Sequence, residues 1–282
     1  MIQSKDIIAV VIWYHPNAVH AQNLMSYANV VRHVIVVDNS TTEHQALQHE
    51  DLKNLTYIPL HDNLGIATAL NVGCAKAIEM GAQWILTMDQ DSQWQNGQLA
   101  RYIQTASDYP SIDQVGVFSP RQVYGVGGVK QTSVYEEKIA VMTSGCLISA
   151  KGYERSNGFR DEFFIDEVDN EYCMHLRTLG MQVVICNTCE LEHHLGERQI
   201  IRFLMKQKEY IRHAPFRYYY MVRNNLALSR LYPQYRRFNR KRLCKMLKRV
   251  LLYEKQNKLA VLQMCWKGYC DFRAQRWGRL DV

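Results

Sequence analysis

Four short runs of β-branched and other apolar residues, separated by polar turns and helix-compatible stretches, constrain this chain more than any other feature. They are residues 7–13 (IIAVVIW), 34–37 (VIVV), 55–58 (LTYI) and 84–87 (WILT). A run without polar alternation suits a strand buried on both faces. Residues 18–30 and 67–80 carry helical patterns, the second broken by Gly81. Strands alternating with helices predict an α/β fold: a mostly parallel central sheet flanked by helices, with ligands beyond the carboxyl ends of the strands. Tyr14, Asp38, Asp62, Asp89 and Asp91 all fall just past such ends.

The turn after the fourth run reads Met88-Asp89-Gln90-Asp91-Ser92. Side chains alternate along an extended backbone, so Asp89 and Asp91 point the same way. Two such carboxylates suit a hard divalent cation, which takes oxygen ligands and can bridge to phosphate oxygens. The bland reading is an ordinary acidic turn. No G-x-G-x-x-G follows the first run and no Walker A lysine motif occurs, so a nucleotide would be held by other means. Gly125-Val126-Gly127-Gly128 lacks a strand-turn-helix context and reads as a flexible connection.

From residue 111 the pattern loosens. Residues 115–118 and 140–143 read as strands, and 143–146 (TSGC) as a turn before 147–149. The stretch 161–171 then holds six carboxylates, Asp161, Glu162, Asp166, Glu167, Asp169 and Glu171, and flows into a helix ending near Gly180. Acids at a helix N-terminus favour its dipole and need no further role. Here Phe163, Phe164, Ile165 and Val168 are interleaved with them, and apolar walls around a carboxylate make a general base. After Gly196 the chain reads as helical and basic.

A chain of 282 residues, 47% of them hydrophobic, can bury a core without disulfides. Its eight cysteines are therefore read as reduced, buried thiols. Cys186 and Cys189 form a C-x-x-C near His193 and His194, but no second pair supports zinc. The pair follows a strand rather than opening a helix, which argues against redox chemistry. The net charge of +7 hides an asymmetry. Residues 1–197 carry 12 Lys and Arg against 23 Asp and Glu, whereas residues 198–282 carry 22 against 4. A basic tail attracts anionic lipid, nucleic acid or a diphosphate. No nucleic-acid-binding pattern is present and the acidic body would repel phosphate, so no nucleic acid is expected as partner. No apolar run reaches the roughly 18 residues of a membrane span, and no signal-like succession opens the chain. The expected location is cytoplasmic, peripheral on the inner face of the membrane.

These pieces together resemble the inverting family 2 glycosyltransferases of the GT-A fold, in particular the bacterial rhamnosyltransferase-like branch that builds O-antigen and other surface polysaccharides. The matching segments are VVIWYHPN (10–17), VIVVDNS (34–40), DNLGIATALNVGCAKAIEMGAQWILTMDQDS (62–92), TSGCLIS (143–149), GFRDEFFIDEVDNEYCMHLRTLG (158–180), LEHHLGE (191–197) and HAPFRYYYMVRNNLAL (213–228). They keep the family's order across residues 7–228. The resemblance implies a nucleotide-sugar and sheet portion over 1–110, an acceptor and catalytic portion over 111–230, and a basic helical tail over 231–282.

The same resemblance implies roles. The first strand end, around Tyr14, contacts the nucleotide through its backbone. Asp38 bonds the pyrimidine, and Asn63 and Gly65 lie near the nucleotide. Asp91 holds Mg²⁺ or Mn²⁺, with Asp89 beside it. Asp169 is the catalytic base. Relatives carry Glu-Asp where this chain has Val168-Asp169, so Asp166 is a rival. His193, with His194 as competitor, completes the metal site. Arg217 and Arg223 contact an acceptor diphosphate. The implied donor is dTDP-L-rhamnose, with UDP-glucose or UDP-galactose as the alternative. The implied acceptor is a hydroxyl of a lipid-diphosphate-linked saccharide. Residues 236–253 place Leu243, Met246, Leu247, Val250 and Leu251 at helical spacing opposite cations, as in a helix lying on an anionic membrane surface.

Overall fold

The computed structural model describes residues 1–44, 52–123, 133–193, 198–203 and 206–280; side chains are described for these except 193, 198–203 and 206–211. The leading strands are β1 (Ile7–Trp13), β2 (His33–Asp38), β3 (Leu55–Pro59) and β4 (Trp84–Asp89). β1 pairs parallel with β2 and with β4, and β2 pairs parallel with β3. Every residue of β1 is buried. Ile8, Val10 and Ile12 enter one core, while Ile7, Ala9, Val11 and Trp13 enter the other. The unbroken apolar run thus reflects a strand with a hydrophobic layer on each face. Helix α1 (Ala18–Asn23) is shorter than the pattern over 18–30, because Leu24–Ser26 tighten into a 3₁₀ turn.

Helix α2 (Ile66–Glu79) packs closely on the sheet. A Cβ at Gly73 would meet Val10 Cγ1 at 2.3 Å. The sheet continues through β5 (Ser92–Gln93), β6 (Val115–Val123), β7 (Tyr135–Glu137), β8 (Cys146–Ser149) and β9 (Gln182–His193). Its order is β3-β2-β1-β4-β8-β6-β9-β5, with β7 also on β9. β8 runs antiparallel between β4 and β6, whereas β6 and β9 are parallel. Helices α3 (Gln98–Ser107), α4 (Ala150–Ser156) and α5 (Val168–Thr178) flank the sheet.

Two expectations need correction. Residues 140–143 are not a strand. Their carbonyls serve side chains instead: Thr87 Oγ1 donates to Thr143 O at 2.6 Å and Cys146 Sγ to Met142 O at 2.8 Å. The basic stretch after Gly196 does not start as helix. It forms an antiparallel hairpin, β10 (Arg198–Phe203) with β11 (Lys206–Ile211), before α6 (Pro215–Leu231). Gly125–Gly128 lie outside the described residues.

α7 (Arg236–Tyr253) and α8 (Lys258–Arg273) follow. Most of the apolar face of α7 is turned inward. Leu243, Met246, Leu247 and Val250 pack with Tyr218, Val222, Val261 and Cys265 of α6 and α8. Periodicity shows that a helix face is covered, not what covers it. Beyond α8 the chain returns to the body: Gly278 N donates to Glu162 O at 2.9 Å and Arg279 pairs with Asp62 at 3.0 Å. The segment read as a tail is packed into the fold.

Candidate active site

The register of the parallel strands brings the first candidates together. Ile12 lies opposite Asp89 and Trp13 opposite Asp38, so β1, β2 and β4 end at one level. Gln90 ties the turn down: Tyr14 N donates to its Oε1 at 2.8 Å and its Nε2 donates to Tyr14 O at 3.2 Å. The segment before β8 supports the turn from the other side. Ser144 Oγ accepts from Asp89 N at 3.1 Å and donates to Ser92 Oγ at 2.8 Å. Gly145 has φ +75°, and a Cβ there would meet Leu191 at 2.7 Å and Pro120 at 2.9 Å. The T-S-G-C sequence is therefore a clamp on the acidic turn.

Burial, together with the neighbouring Asp91 charge, pushes the Asp89 carboxyl up to about 7, against the pull of Arg217. Two neighbouring carboxylates at the carboxyl end of a parallel strand fit a hard divalent cation. Among the described residues, no cluster of three or more His, Cys, Asp and Glu is preassembled for a metal. His193 closes β9 with its backbone opposite Ser92, one residue past Asp91. Its side chain, and the whole of His194, lie outside the described residues.

The second half of the site is a strained loop. Phe164, Asp166 and Glu167 have φ of 62°, 60° and 63°, an uncommon conformation for residues with a Cβ. Three devices hold it. Asn224 Nδ2 donates to the carbonyls of Phe163, Ile165 and Asp166, each at 2.9 Å. Arg223 donates to the carbonyls of Glu162 and Phe163 at 3.1 and 3.3 Å. Phe164 O accepts from Ile66 N at 2.7 Å, closing the N-terminus of α2. That approach requires Gly65, whose φ is +88° and whose Cβ would meet Phe164 Cδ2 at 2.5 Å.

The six carboxylates of 161–171 then sort by partner. Asp161 accepts from Asn71 and Thr68. Glu162 and Glu171 pair with Arg160, and Tyr232 also donates to Glu171. Asp166 is gripped by Arg217 at 2.5 and 3.1 Å. Glu167 pairs with Arg242 at 2.6 Å. The hydrogen-bond donors to Asp169 among the described residues are the backbone and side-chain amides of Asn170, at 2.8 and 3.1 Å. Burial pushes its carboxyl up to about 6; Asn170 and Arg242 pull it down, and the Asp166 and Asp89 charges push it up.

Asp89, Asp166, Glu167, Asp169 and Arg217 line one cavity of about 970 Å³. Several sequence-derived candidates lie elsewhere. Arg223 is fully buried and does not line the cavity, which corrects its assignment to an acceptor diphosphate. Its donors are used by Asn224, Tyr219 and the carbonyls of Gly278, Glu162 and Phe163, and Tyr219, Tyr220 and Trp277 surround it. Gly65 faces the loop. Asn63 Oδ1 accepts from Asn39 and from Gly65 N. Asp38 is buried; desolvation raises its carboxyl, but hydrogen bonds from Ser40, Tyr57 and His44 outweigh this and hold it below the usual range. Cys186 and Cys189 are free thiols in the core. The sequence reading missed Asn224, Ser144 and Arg242. For Asn224 a signal existed: polar residues 223–225 interrupt a buried face of α6.

A family model described as Glycosyl transferase family 2 matches residues 17–155. The chain contains a family 2 glycosyltransferase domain. The enzyme is 28% identical over 251 residues to a dTDP-rhamnosyl transferase, RfbF, of Shigella flexneri, covering 80% of this chain and 81% of that protein. Among solved structures, S. aureus TarS 1-349 in complex with UDP-GlcNAc matches with a TM-score of 0.58 at 14% identity, over 92% of this chain and 79% of the other. GalNAc-T7 with UDP, GalNAc and Mn²⁺ matches with a TM-score of 0.54 at 11% identity, over 73% of this chain. The glycosyltransferase spans 45% of that longer chain. These likenesses establish the GT-A fold, and the family match establishes glycosyl transfer as the class of activity.

Proposed function

We propose that this glycosyltransferase moves L-rhamnose from dTDP-L-rhamnose to a hydroxyl of a lipid-diphosphate-linked saccharide, with inversion, in surface polysaccharide synthesis. The observation that carries the chemistry is Asp169: a buried carboxylate in the same cavity as Asp89, held among the described residues by Asn170 alone while its acidic neighbours are engaged by other side chains. The similarity to RfbF supports the donor.

Asp169 takes the proton from the acceptor hydroxyl as that oxygen attacks the anomeric carbon. The bond from that carbon to the diphosphate breaks on the opposite face, and the nucleoside diphosphate leaves. One displacement of this kind inverts the configuration without an enzyme nucleophile; the acceptor hydroxyl stands where water stands in inverting hydrolases. Asp91 and Asp89, with His193 at the adjacent register position, would hold Mg²⁺ or Mn²⁺, which supplies charge neutralisation for the departing diphosphate. Asp166 is committed to Arg217 and serves as its anchor rather than as base. Tyr14, Asp38 and Asn63 edge the donor end. Access of the pyrimidine to Asp38 requires His44 to give up its 2.8 Å contact with that carboxylate.

Among the described residues, no helix is long and apolar enough to cross a membrane. The surface we assign to an anionic membrane is not the inward face of α7. It is the exposed set Leu251, Leu252, Leu259, Trp266 and Tyr269. The contact of Lys258 Nζ with Leu251 O, 2.8 Å, joins the two helices there, and Lys255 and Lys267 add positive charge.

A donor panel tests the reading. Purified enzyme with Mn²⁺ or Mg²⁺ and a polyprenyl-diphosphate-linked saccharide should turn over dTDP-L-rhamnose in preference to UDP-glucose and UDP-galactose. Preference for a UDP-sugar would replace the donor. Inertness with all of them, with and without metal, would remove the reading.

A further inference from the structure

The cavity that holds Asp169 has a second, oppositely charged end. Arg242, Lys245 and Arg249 of α7 line it as well. Their spacing of three and four residues puts them on one face of the helix. The row starts at the catalytic carboxylates, where Glu167 fixes Arg242 at 2.6 Å, and runs about 10 Å to Arg249 at 1.5 Å per residue. Lys245 and Arg249 are exposed at the mouth, and neither is ion-paired among the described residues. Leu243 and Met246 of the same helix line the cavity beside them. A solvated cationic helix face is the ordinary reading of such a row. This one shares its cavity with the base, and among the described residues its two outer cations have no carboxylate ion-paired to them.

We propose that Arg242, Lys245 and Arg249 form an anion subsite for the acceptor, taking a phosphate or diphosphate group while the acceptor hydroxyl lies at Asp169. The assignment rests on the glycosyl-transfer reading of Asp169. It differs from a donor-diphosphate site, because the donor leaving group belongs at the Asp89–Asp91 turn. Guanidinium and ammonium groups along one edge suit phosphate oxygens. The apolar side chains beside them suit the first carbons of a lipid carried on that phosphate.

The full-length enzyme is saturated with dTDP and metal, then titrated with inorganic pyrophosphate by calorimetry. Wild type should bind one further pyrophosphate. Lys245→Glu combined with Arg249→Glu should weaken that binding at least tenfold while leaving dTDP affinity within twofold. Both side chains are exposed, and a matching thermal melt checks that the variant is folded. Undiminished pyrophosphate binding by the variant, or none by wild type, would overturn the subsite. Farnesyl diphosphate supplies the second arm: tighter binding than pyrophosphate supports the subsite with a lipid-borne ligand, and equal binding supports it with a water-soluble one. If dTDP itself does not bind, the donor reading fails, and the pyrophosphate comparison of wild type with variant still decides the subsite.

Discussion

The two halves of the site are built by different means. On the donor side, Asp38 closes β2 and Asp89 closes β4, with Asp91 in the turn that follows, and backbone register aligns both strand ends with that of β1. On the acceptor side, Asp169 follows a loop with three positive-φ residues that is held by side chains of α6 and by a backbone hydrogen bond from the start of α2, far away in sequence. The first half is positioned by secondary structure, the second by a few specific contacts. Damage should therefore be graded on the donor side and abrupt on the acceptor side.

The largest expected effect on stability comes from Arg223→Ala. It deletes a fully buried guanidinium with five hydrogen-bond partners and leaves carbonyls of the catalytic loop unsatisfied. A loss of about 3–5 kcal/mol, read by urea denaturation, is expected from the behaviour of buried charged networks. A loss below ~1 kcal/mol would mean that the loop holds itself.

Gly65→Ala comes next. The new methyl would collide with Phe164 and force a φ of +88° on an alanine. A cost of about 1–3 kcal/mol is expected from such strain, together with a fall in turnover, since the displaced loop carries Asp166 and Glu167 toward Asp169. Gly81→Ala serves as control: it shares the positive φ, but nothing lies within 4 Å of its Cβ.

The pH dependence should separate chemistry from folding. Asp169 must be ionised to act as base, so transfer should fall as pH drops through about 6. The stability effect has the opposite sign. A carboxyl raised by burial holds protons more tightly when folded than unfolded, so its contribution to stability increases as pH falls through that range. Arg242→Gln, which removes a charge that lowers the Asp169 carboxyl, should move the acid limb to higher pH. Rate profiles and denaturation curves from pH 5 to 8 check both signs.

The smallest effect is expected at the surface. Leu259→Ser with Trp266→Ser should leave folding within ~0.5 kcal/mol, as for most exposed positions, and reduce sedimentation with anionic vesicles severalfold. Unchanged sedimentation would remove Leu259 and Trp266 from the membrane assignment.

How much of this was legible in the sequence follows the same division. The apolar runs announced β1, β2 and β4 because a doubly covered strand needs nothing but its own residues to be recognised, and the acidic turn followed from the strand before it. Interleaved acids and phenylalanines flagged the 161–171 stretch. The pairings Asp166–Arg217 and Glu167–Arg242 join residues 51 and 75 positions apart, and no local pattern encodes them. The same limit explains Arg223, which was read as a ligand for phosphate because arginine suits it, although the fold spends that guanidinium on backbone carbonyls. It also explains α7: its amphipathic spacing was sound, but spacing does not encode that α6 and α8 cover Leu243, Met246, Leu247 and Val250.

The central claim, that Asp169 works as the base in the cavity lined also by Asp89 of the acidic turn, is tested most directly by comparing Asp169→Asn with Asp166→Asn in single-turnover transfer from dTDP-L-rhamnose. The account predicts that Asp169→Asn binds dTDP like wild type and transfers about 10²–10⁴-fold more slowly, the usual range for loss of a general base, whereas Asp166→Asn is affected less. An Asp169→Asn enzyme within tenfold of wild type, or a greater loss in Asp166→Asn, would contradict it.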